Sequence, residues 1–349
     1  METIQNKCPS CGSNLVFDIE TGGLKCRHCG TTTDFNDTEV VQRRELCDSL
    51  LSGYQKWTEA RVFACSNCGA KEVLEDKTIA RKCAFCGSAQ VASIDELPGI
   101  RPDSVIPFQV TESGAVTRFK QWMRGRWLAP GAFRNKKNIN KQMNKLYSPC
   151  WSFSSKTINQ YSGTLGRTIT VSSRNGTRTQ VRWFRVVGNI AQNYNDKLYQ
   201  SGERINSIRF NKLKPYNLAQ LKVYRQEYLS GIIAEHYTKT LEQCFREFSM
   251  FVKKDVRNRV VSRYRADVVG NLDIQTNFTE RRFNYILLPL YISNYTYKGK
   301  LYNFYINGAT GKVTGRYPRS FFKIMGIVLG VAAVVIGVGV GLWFSGILK

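Results

Sequence analysis

The residues in this chain whose type and spacing could do chemistry are cysteines. Eight of the 11 fall into two blocks of identical spacing, Cys8, Cys11, Cys26, Cys29 and Cys65, Cys68, Cys83, Cys86, each reading C-x2-C-x14-C-x2-C. Every CxxC is followed by glycine, at Gly12, Gly30, Gly69 and Gly87. A metal knuckle asks for this: two thiolates converge on one ion from a tight turn, and glycine takes the backbone conformation that a larger side chain resists. Four thiolates in tetrahedral array suit zinc or iron. Rubredoxin-type iron sites carry a longer gap between their knuckles, so the spacing favours two structural Zn2+ ions, in closed sites with no position left for a substrate. Each block is too short to bury a sufficient core, and metal binding, on the order of 10 kcal/mol, would supply most of its folding energy. His28 sits between Cys26 and Cys29, either as a substitute ligand or as a surface side chain beside a complete four-cysteine set. Cys47, Cys150 and Cys244 stand alone and read as buried small hydrophobes.

Other chemistry finds little support. His28 and His236 are the only two histidines, so general acid-base catalysis lacks its usual group. No G-x4-G-K-[ST] occurs; Gly308 to Val313 places its glycines too close and fits a hairpin turn better. Neither HExxH nor GxSxG is present. The expectation is that the chain is not an enzyme.

The elements that must position the cysteines belong to a chain of 349 residues, 42% hydrophobic and 12% aromatic, long and apolar enough for more than one folded unit. Its 51 Lys/Arg against 26 Asp/Glu give +25, unevenly placed. Residues 1–100 hold 11 basic and 14 acidic residues, net −3, leaving 40 and 12, net +28, for residues 101–349. From Ser113 to Asn195 there are 15 Lys/Arg and no acid. The expected organisation is α+β: zinc ribbon 1 over 1–36, a helical linker over 37–62, zinc ribbon 2 over 63–94, a linker over 95–110, a basic antiparallel-sheet domain with amphipathic helices over 111–320, and a transmembrane helix over 321–348. Within the first linker, Val40, Cys47, Leu51 and Tyr54 recur on one helical face.

In the basic domain, Thr111 to Trp127 reads as a helix with Val116, Phe119 and Met123 inward, and a shorter helix is expected over Lys136 to Leu146. Arg118, Lys120, Arg124, Arg126, Arg134, Lys136, Lys137, Lys141 and Lys145, with Trp122, Trp127 and Phe133 between them, form a composition able to contact phosphates and stack bases. The bland reading is a solvated basic face over core tryptophans. Strands are expected over Ile158 to Ser172 and Gln180 to Ile190. Lys239 to Tyr264 spaces Leu241, Phe245, Phe248, Val252, Val256 and Val260 as one helical face opposite Arg246, Lys253, Lys254 and Arg257, for packing on a sheet or lying on a membrane. Tyr285 to Tyr297, Leu301 to Ile306 and Lys312 to Tyr317 read as an antiparallel meander, with Tyr291, Tyr295 and Tyr297 on its outer face.

Ile324 to Leu348 carries no charged residue over 25 positions, enough for the roughly 30 Å of hydrocarbon in a bilayer. Arg316, Arg319 and Lys323 precede this span and Lys349 alone follows it, so the positive-inside bias places the body in the cytoplasm, at the inner membrane. Gly326, Gly330, Gly337 and Gly341 share one face and suit pairing into a homodimer, or reflect the commonness of glycine in such helices.

The segments IRPDSVIPFQV, RFKQWMRGRWLAP, YSPCWSF and LLPLYISNYTYKGKLYNFYINGATGKVTGRYP, together with the cysteine blocks and the apolar tail, resemble a bacterial family of double zinc-ribbon membrane proteins. Its members are labelled transcription-factor-B-type zinc ribbon proteins or, loosely, replication-restart helicase relatives. The resemblance implies metal ligands at the eight cysteines and no established activity. Two functions follow as expectations: a tail-anchored adaptor whose basic body binds nucleic acid at the inner membrane face, or a protein adaptor whose ribbons recruit a partner while the basic body sits on anionic lipid.

Overall fold

The computed structural model describes residues 8–13, 15–34, 39–52, 61–64, 69–74, 92–95, 100, 102–131, 143–173, 176–202, 205–230, 232–235 and 237–344. Three very long strands organise them. β9 (Asn144–Ser173) and β10 (Gly176–Gln200) form one hairpin, and β13 (Val268–Tyr297) pairs antiparallel with β9 along most of its length. The strands expected at 158–172 and 180–190 are therefore the distal parts of longer ones. Their proximal parts carry Ser, Lys and Pro149, which a β signal read from sequence discounts; pairing on both sides of β9 holds them extended all the same.

Around this frame the large sheet runs β11-β8-β13-β9-β12-β6-β5-β7, with β14 and β15 continuing the meander beyond β13, β4 also pairing with β13 and β10 pairing with β9. The added strands are β4 (Arg44–Glu45), β5 (Arg61–Ala64), β6 (Lys71–Leu74), β7 (Ala92–Asp95), β8 (Ser104–Val105), β11 (Lys222–Val223), β12 (Ile233–Glu235), β14 (Lys300–Asn307) and β15 (Val313–Gly315). Most pairings are antiparallel, but β12 with β9 and β13 with β8 are parallel. A separate small sheet holds β1 (Leu15–Phe17), β2 (Leu24–Cys26) and β3 (Thr32–Thr33). The described helices are α1 (Asp48–Ser52), α2 (Glu112–Arg124), α3 (Ser207–Leu213), α4 (Leu241–Arg263) and α5 (Phe321–Phe344).

The amphipathic helix α4 forms where the spacing predicts. Thr240 caps it in a reciprocal box with Gln243, and Leu241, Cys244, Phe248, Val252, Val256 and Val260 are buried against the long strands. Phe248 is the hub, with Phe153, Phe278, Tyr194 and Tyr199 rings all within about 6 Å of its own. α2 likewise starts at its Thr111 cap and buries Ala115, Phe119 and Met123, placing Phe119 and Trp122 on Phe304 of β14.

Several expectations change. The 37–62 linker is helical only at α1 among its described residues; Val40 and Cys47 are exposed, and β4 lies on β13 instead. Ion pairs fasten this strap to the body: Glu39 to Arg225, Arg43 to Asp196, Arg44 to Asp103 and Asp48 to Arg281. Residues 95–110 include β8, an internal strand, and Val105 and Ile106 are fully buried, so the prolines there do not mark a free linker. A helix over 136–146 cannot close at its end, since β9 already begins at Asn144; residues 136–142 lie outside the described set. Tyr291 and Tyr295 are buried, not an open outer face. One face of β13 packs Ile286, Leu288, Leu290 and Ile292 into one core cluster, while Tyr285, Leu287, Tyr291 and Tyr295 enter another on the opposite face.

Two bulges lie nearly level on either side of β9. The register shifts between Tyr194 and Lys197 on β10 and between Thr279 and Arg282 on β13, with Asp196 and Glu280 in the left-handed region at φ 48°. Bulges bend and twist the strand that carries them. Asp196 is fixed there by a two-pronged contact from Arg43 at 2.6 and 2.8 Å and by the Ser152 and Ser154 hydroxyls. Beyond this level the three strands continue as an arm, covered on one face by α4.

Candidate metal centre and basic surfaces

The first cysteine block brings its four thiols together by repeating one local structure. Cys8 N–H donates to the Ser13 carbonyl and Gly12 N–H to that of Cys8; Cys26 N–H donates to Thr31 and Gly30 N–H to Cys26. Gly12 and Gly30 adopt φ of 69° and 78°, the left-handed backbone that glycine accepts without strain. The sulfurs of Cys8, Cys11, Cys26 and Cys29 then lie within 4.8 Å of one another, with Cys8 and Cys29 at 3.4 Å and Cys11 and Cys26 at 3.5 Å. Zn–S bonds of about 2.3 Å in a tetrahedron put sulfurs roughly 3.8 Å apart, so this set fits a metal ion.

The electrostatics agree. The Cys29 amide draws the Cys26 thiol below its ordinary value, and the Thr31 hydroxyl does the same for Cys29. Cys11 is pulled down by the Ser13 amide, but its thiol neighbours win and push it up to about 12. Four thiolates repel too strongly to ionise together unless a cation sits among them. His28 is exposed and stands outside the set.

The small β1-β2-β3 sheet is joined to the large body. Phe17 N–H donates to the Ser230 carbonyl, the Ser230 hydroxyl to the Leu15 carbonyl, and the Phe17 ring lies 5.3 Å from that of Tyr228.

Cys65, Cys68, Cys83 and Cys86 lie outside the described residues. Two described features beside them follow the first block. Gly69 has φ 66° like its counterparts Gly12 and Gly30, and β6 occupies the place of β1 shifted by the 57-residue offset of the blocks. The β5-β6-β7 group joins the large sheet through β12, where Ala234 opposes Val73. Of the lone cysteines, Cys150 and Cys244 are buried as expected, and burial raises Cys244 to about 12. Cys47 is exposed and its thiol lies 3.1 Å from the Ser49 hydroxyl.

Among the described residues, the basic side chains singled out from the sequence do not form one surface. Arg118, Lys120 and Arg124 are exposed on α2. Arg126 folds back, its guanidinium 4.5 Å over Trp122 and 5.5 Å over Tyr317. Lys145 is half-buried 6.0 Å over the Phe108 ring, and burial lowers its pKa. Arg134, Lys136, Lys137 and Lys141 lie outside the described residues. Trp122 belongs to the aromatic packing of α2, whereas Trp127 is exposed.

The apolar helix α5 starts beside this surface. Ser320 N–H donates to the Leu128 carbonyl, and Lys323 Nζ donates to the Trp127 and Ala129 carbonyls at 2.8 and 2.9 Å. Over Phe321–Val338 no residue is buried, and the segment is long and apolar enough to cross a membrane. Nothing lies within 4 Å of a side chain built at Gly326, Gly330 or Gly337.

No family model matches the chain, and no solved structure does. Over 331 residues it is 29% identical to the uncharacterized protein YdjG of Bacillus subtilis (strain 168), an alignment that covers 94% of each chain.

The sequence overlooked the distal arm. Its basic residues over 157–185 and 255–282 are all arginine: Arg167, Arg174, Arg178, Arg182 and Arg185, then Arg257, Arg259, Arg263, Arg265, Arg281 and Arg282. This absence of lysine was the signal available; that the two segments are neighbours in space was not.

Proposed function

We propose that the chain is a non-enzymatic, single-span adaptor of the inner membrane, its body in the cytoplasm, its two ribbons loaded with zinc and docking a protein partner, and its α2 surface resting on anionic lipid. The observation that carries this reading is the contact of Lys323 with the carbonyls of Trp127 and Ala129. It fixes α2 and the exposed Trp127 beside the first turn of the apolar helix, where headgroups would lie. Arg118, Lys120 and Arg124, with Arg316 and Arg319 just before the helix, then meet phosphates, each contributing roughly 1 kcal/mol near an anionic surface. Trp127 takes the interfacial position that indole favours. Gly326, Gly330, Gly337 and Gly341 supply a flat helix face for a second copy.

The test uses the full chain in nanodiscs, with Trp127 followed by quenching from lipids brominated near the headgroup and Trp127→Phe as the blank. Quenching should be stronger with phosphatidylglycerol than with phosphatidylcholine alone and should fall in Arg118→Ser/Lys120→Ser/Arg124→Ser. Equal, weak quenching in both lipids would sink the reading.

A further inference from the structure

We infer that the distal end of the β9-β10 hairpin, together with the end of α4, is a binding surface for a nucleic-acid backbone. It goes beyond the lipid-facing reading of α2 and does not depend on it. Along β9 the residues that face α4 include Tyr161 and Leu165, and along β10 they include Val186 and Phe184, whose ring meets Tyr264. Two residues further out, the same face presents Arg167 and Arg182, which stand directly opposite each other across the hairpin. Arg178, opposite Val171, continues the row, and Arg263 and Arg265 stand at the end of α4. Arg178, Arg182, Arg263 and Arg265 are all exposed.

A helix-capping role accounts for one of them. Arg167 donates twice to the Tyr264 carbonyl and lies 5.4 Å over the Phe184 ring. Arg178 and Arg182 touch no carboxylate among the described residues. The nearby acids are engaged elsewhere: Asp267 accepts the Thr168 amide, and Asp255 accepts Tyr194 and Arg259. Like charges directly opposite on an antiparallel pair destabilise it, so folding alone does not favour this arrangement. A bound polyanion would reverse the sign of that interaction.

The chemistry selects the polyanion. Guanidinium forks match phosphate oxygens two at a time, and every cation here is arginine. Arg182 and Arg178 are four strand residues apart, about 13 Å, a length that several consecutive backbone phosphates span. Position argues against lipid. α5 leaves from the meander at the C-terminal end of β13, whereas the arginine face lies at its N-terminal end. Between the level of Val268, beside the arginine face, and that of residues 291–293, level with β15, β13 runs roughly 23 residues, a contour of about 75 Å.

The test is fluorescence anisotropy of the full chain in phosphatidylcholine nanodiscs, titrated with a labelled 30-nucleotide single strand and a 30-base-pair duplex. Arg178→Ser/Arg182→Ser should weaken binding about tenfold or more and reduce the salt slope for duplex by about 1.8, the loss of two phosphate contacts. Removing the opposed charges should leave the melting temperature unchanged or higher, separating lost contacts from lost fold. Arg118→Ser/Lys120→Ser/Arg124→Ser should bind within about twofold of wild type. Absence of binding to either oligonucleotide, or an arm variant that binds as wild type does, would overturn the inference. So would phosphatidylglycerol vesicles competing the oligonucleotide from the α2 variant, which would make the arm a lipid surface.

Discussion

Lys323 Nζ donates to the Trp127 carbonyl oxygen at 2.8 Å, so the first turn of the apolar helix is bolted to the loop that closes α2. A hydrogen bond from a charged amine is worth about 1.5–3 kcal/mol when buried and less at a half-exposed site. Lys323→Met should free the loop. With about 1 kcal/mol lost, tryptic cleavage after Arg126 in nanodisc-held protein should accelerate about fivefold; an unchanged rate would show that the contact is not what holds the loop.

Metal content should follow the cysteine blocks separately. Elemental analysis of the full chain should give two zinc ions, and Cys26→Ser or Cys83→Ser should each remove one. Bound metal requires thiolates, so acidification should release it as protons return to sulfur. A chain that keeps its full metal content after chelation at low pH would count against four-thiolate ligation.

At Gly163 of β9 the backbone of β13 approaches closely. A Cβ there would lie 2.1 Å from the Asn271 carbonyl oxygen, and backbone cannot step aside as a side-chain tip can. Gly163→Ala should cost about 1–3 kcal/mol, the range for overpacking, read as a lower urea midpoint at unchanged slope.

Phe248 is fully buried and joins α4 to all three long strands. Phe248→Ala should cost about 3–5 kcal/mol, whereas Met250→Ala on the exposed side should stay within about 0.5 kcal/mol. Thermal denaturation distinguishes the two, and equal effects would contradict the packing of α4.

Asp255 supplies a pH-dependent contact. Burial pushes its carboxyl up, but hydrogen bonds from Arg259 and Tyr194 outweigh this and hold it below the usual range. A depressed folded pKa stabilises above the unfolded value near 4, and that stabilisation is lost as pH falls through the folded one. Asp255→Asn should therefore be about 1 kcal/mol less stable at pH 7, with the gap closing below about pH 4. A gap that did not narrow as the pH fell below about 4 would mean the charge is not its source.

Features carried by local spacing were legible in the sequence. The knuckles at Cys8 and Cys26 need nothing beyond five or six neighbouring residues, and each glycine takes the positive φ its place demands. α4 was legible because a helix repeats its buried face every three or four residues, whichever sheet it covers. The meander was legible because its turns carry Lys298-Gly299 and Asn307-Gly308.

What required the tertiary structure depends on residues far apart in the chain. Pairing with β13, more than 100 residues away, keeps the polar start of β9 extended, and strand propensity is too weak to announce that. β8 becomes an internal strand because β11 and β13 flank it, although its neighbouring prolines signal a linker. The five described basic residues of one contiguous stretch divide: Arg126 stacks on Trp122, Lys145 is half-buried over Phe108, and Arg118, Lys120 and Arg124 stay exposed on α2. The sequence by itself determined where metal can bind, where the chain can enter a bilayer and that its body is basic, since these are properties of composition and short-range spacing. Which cations stand beside the apolar helix and which stand far from it was decided by tertiary structure, because a strand of 30 residues carries the arginines to one end of the sheet while the apolar helix leaves from the other.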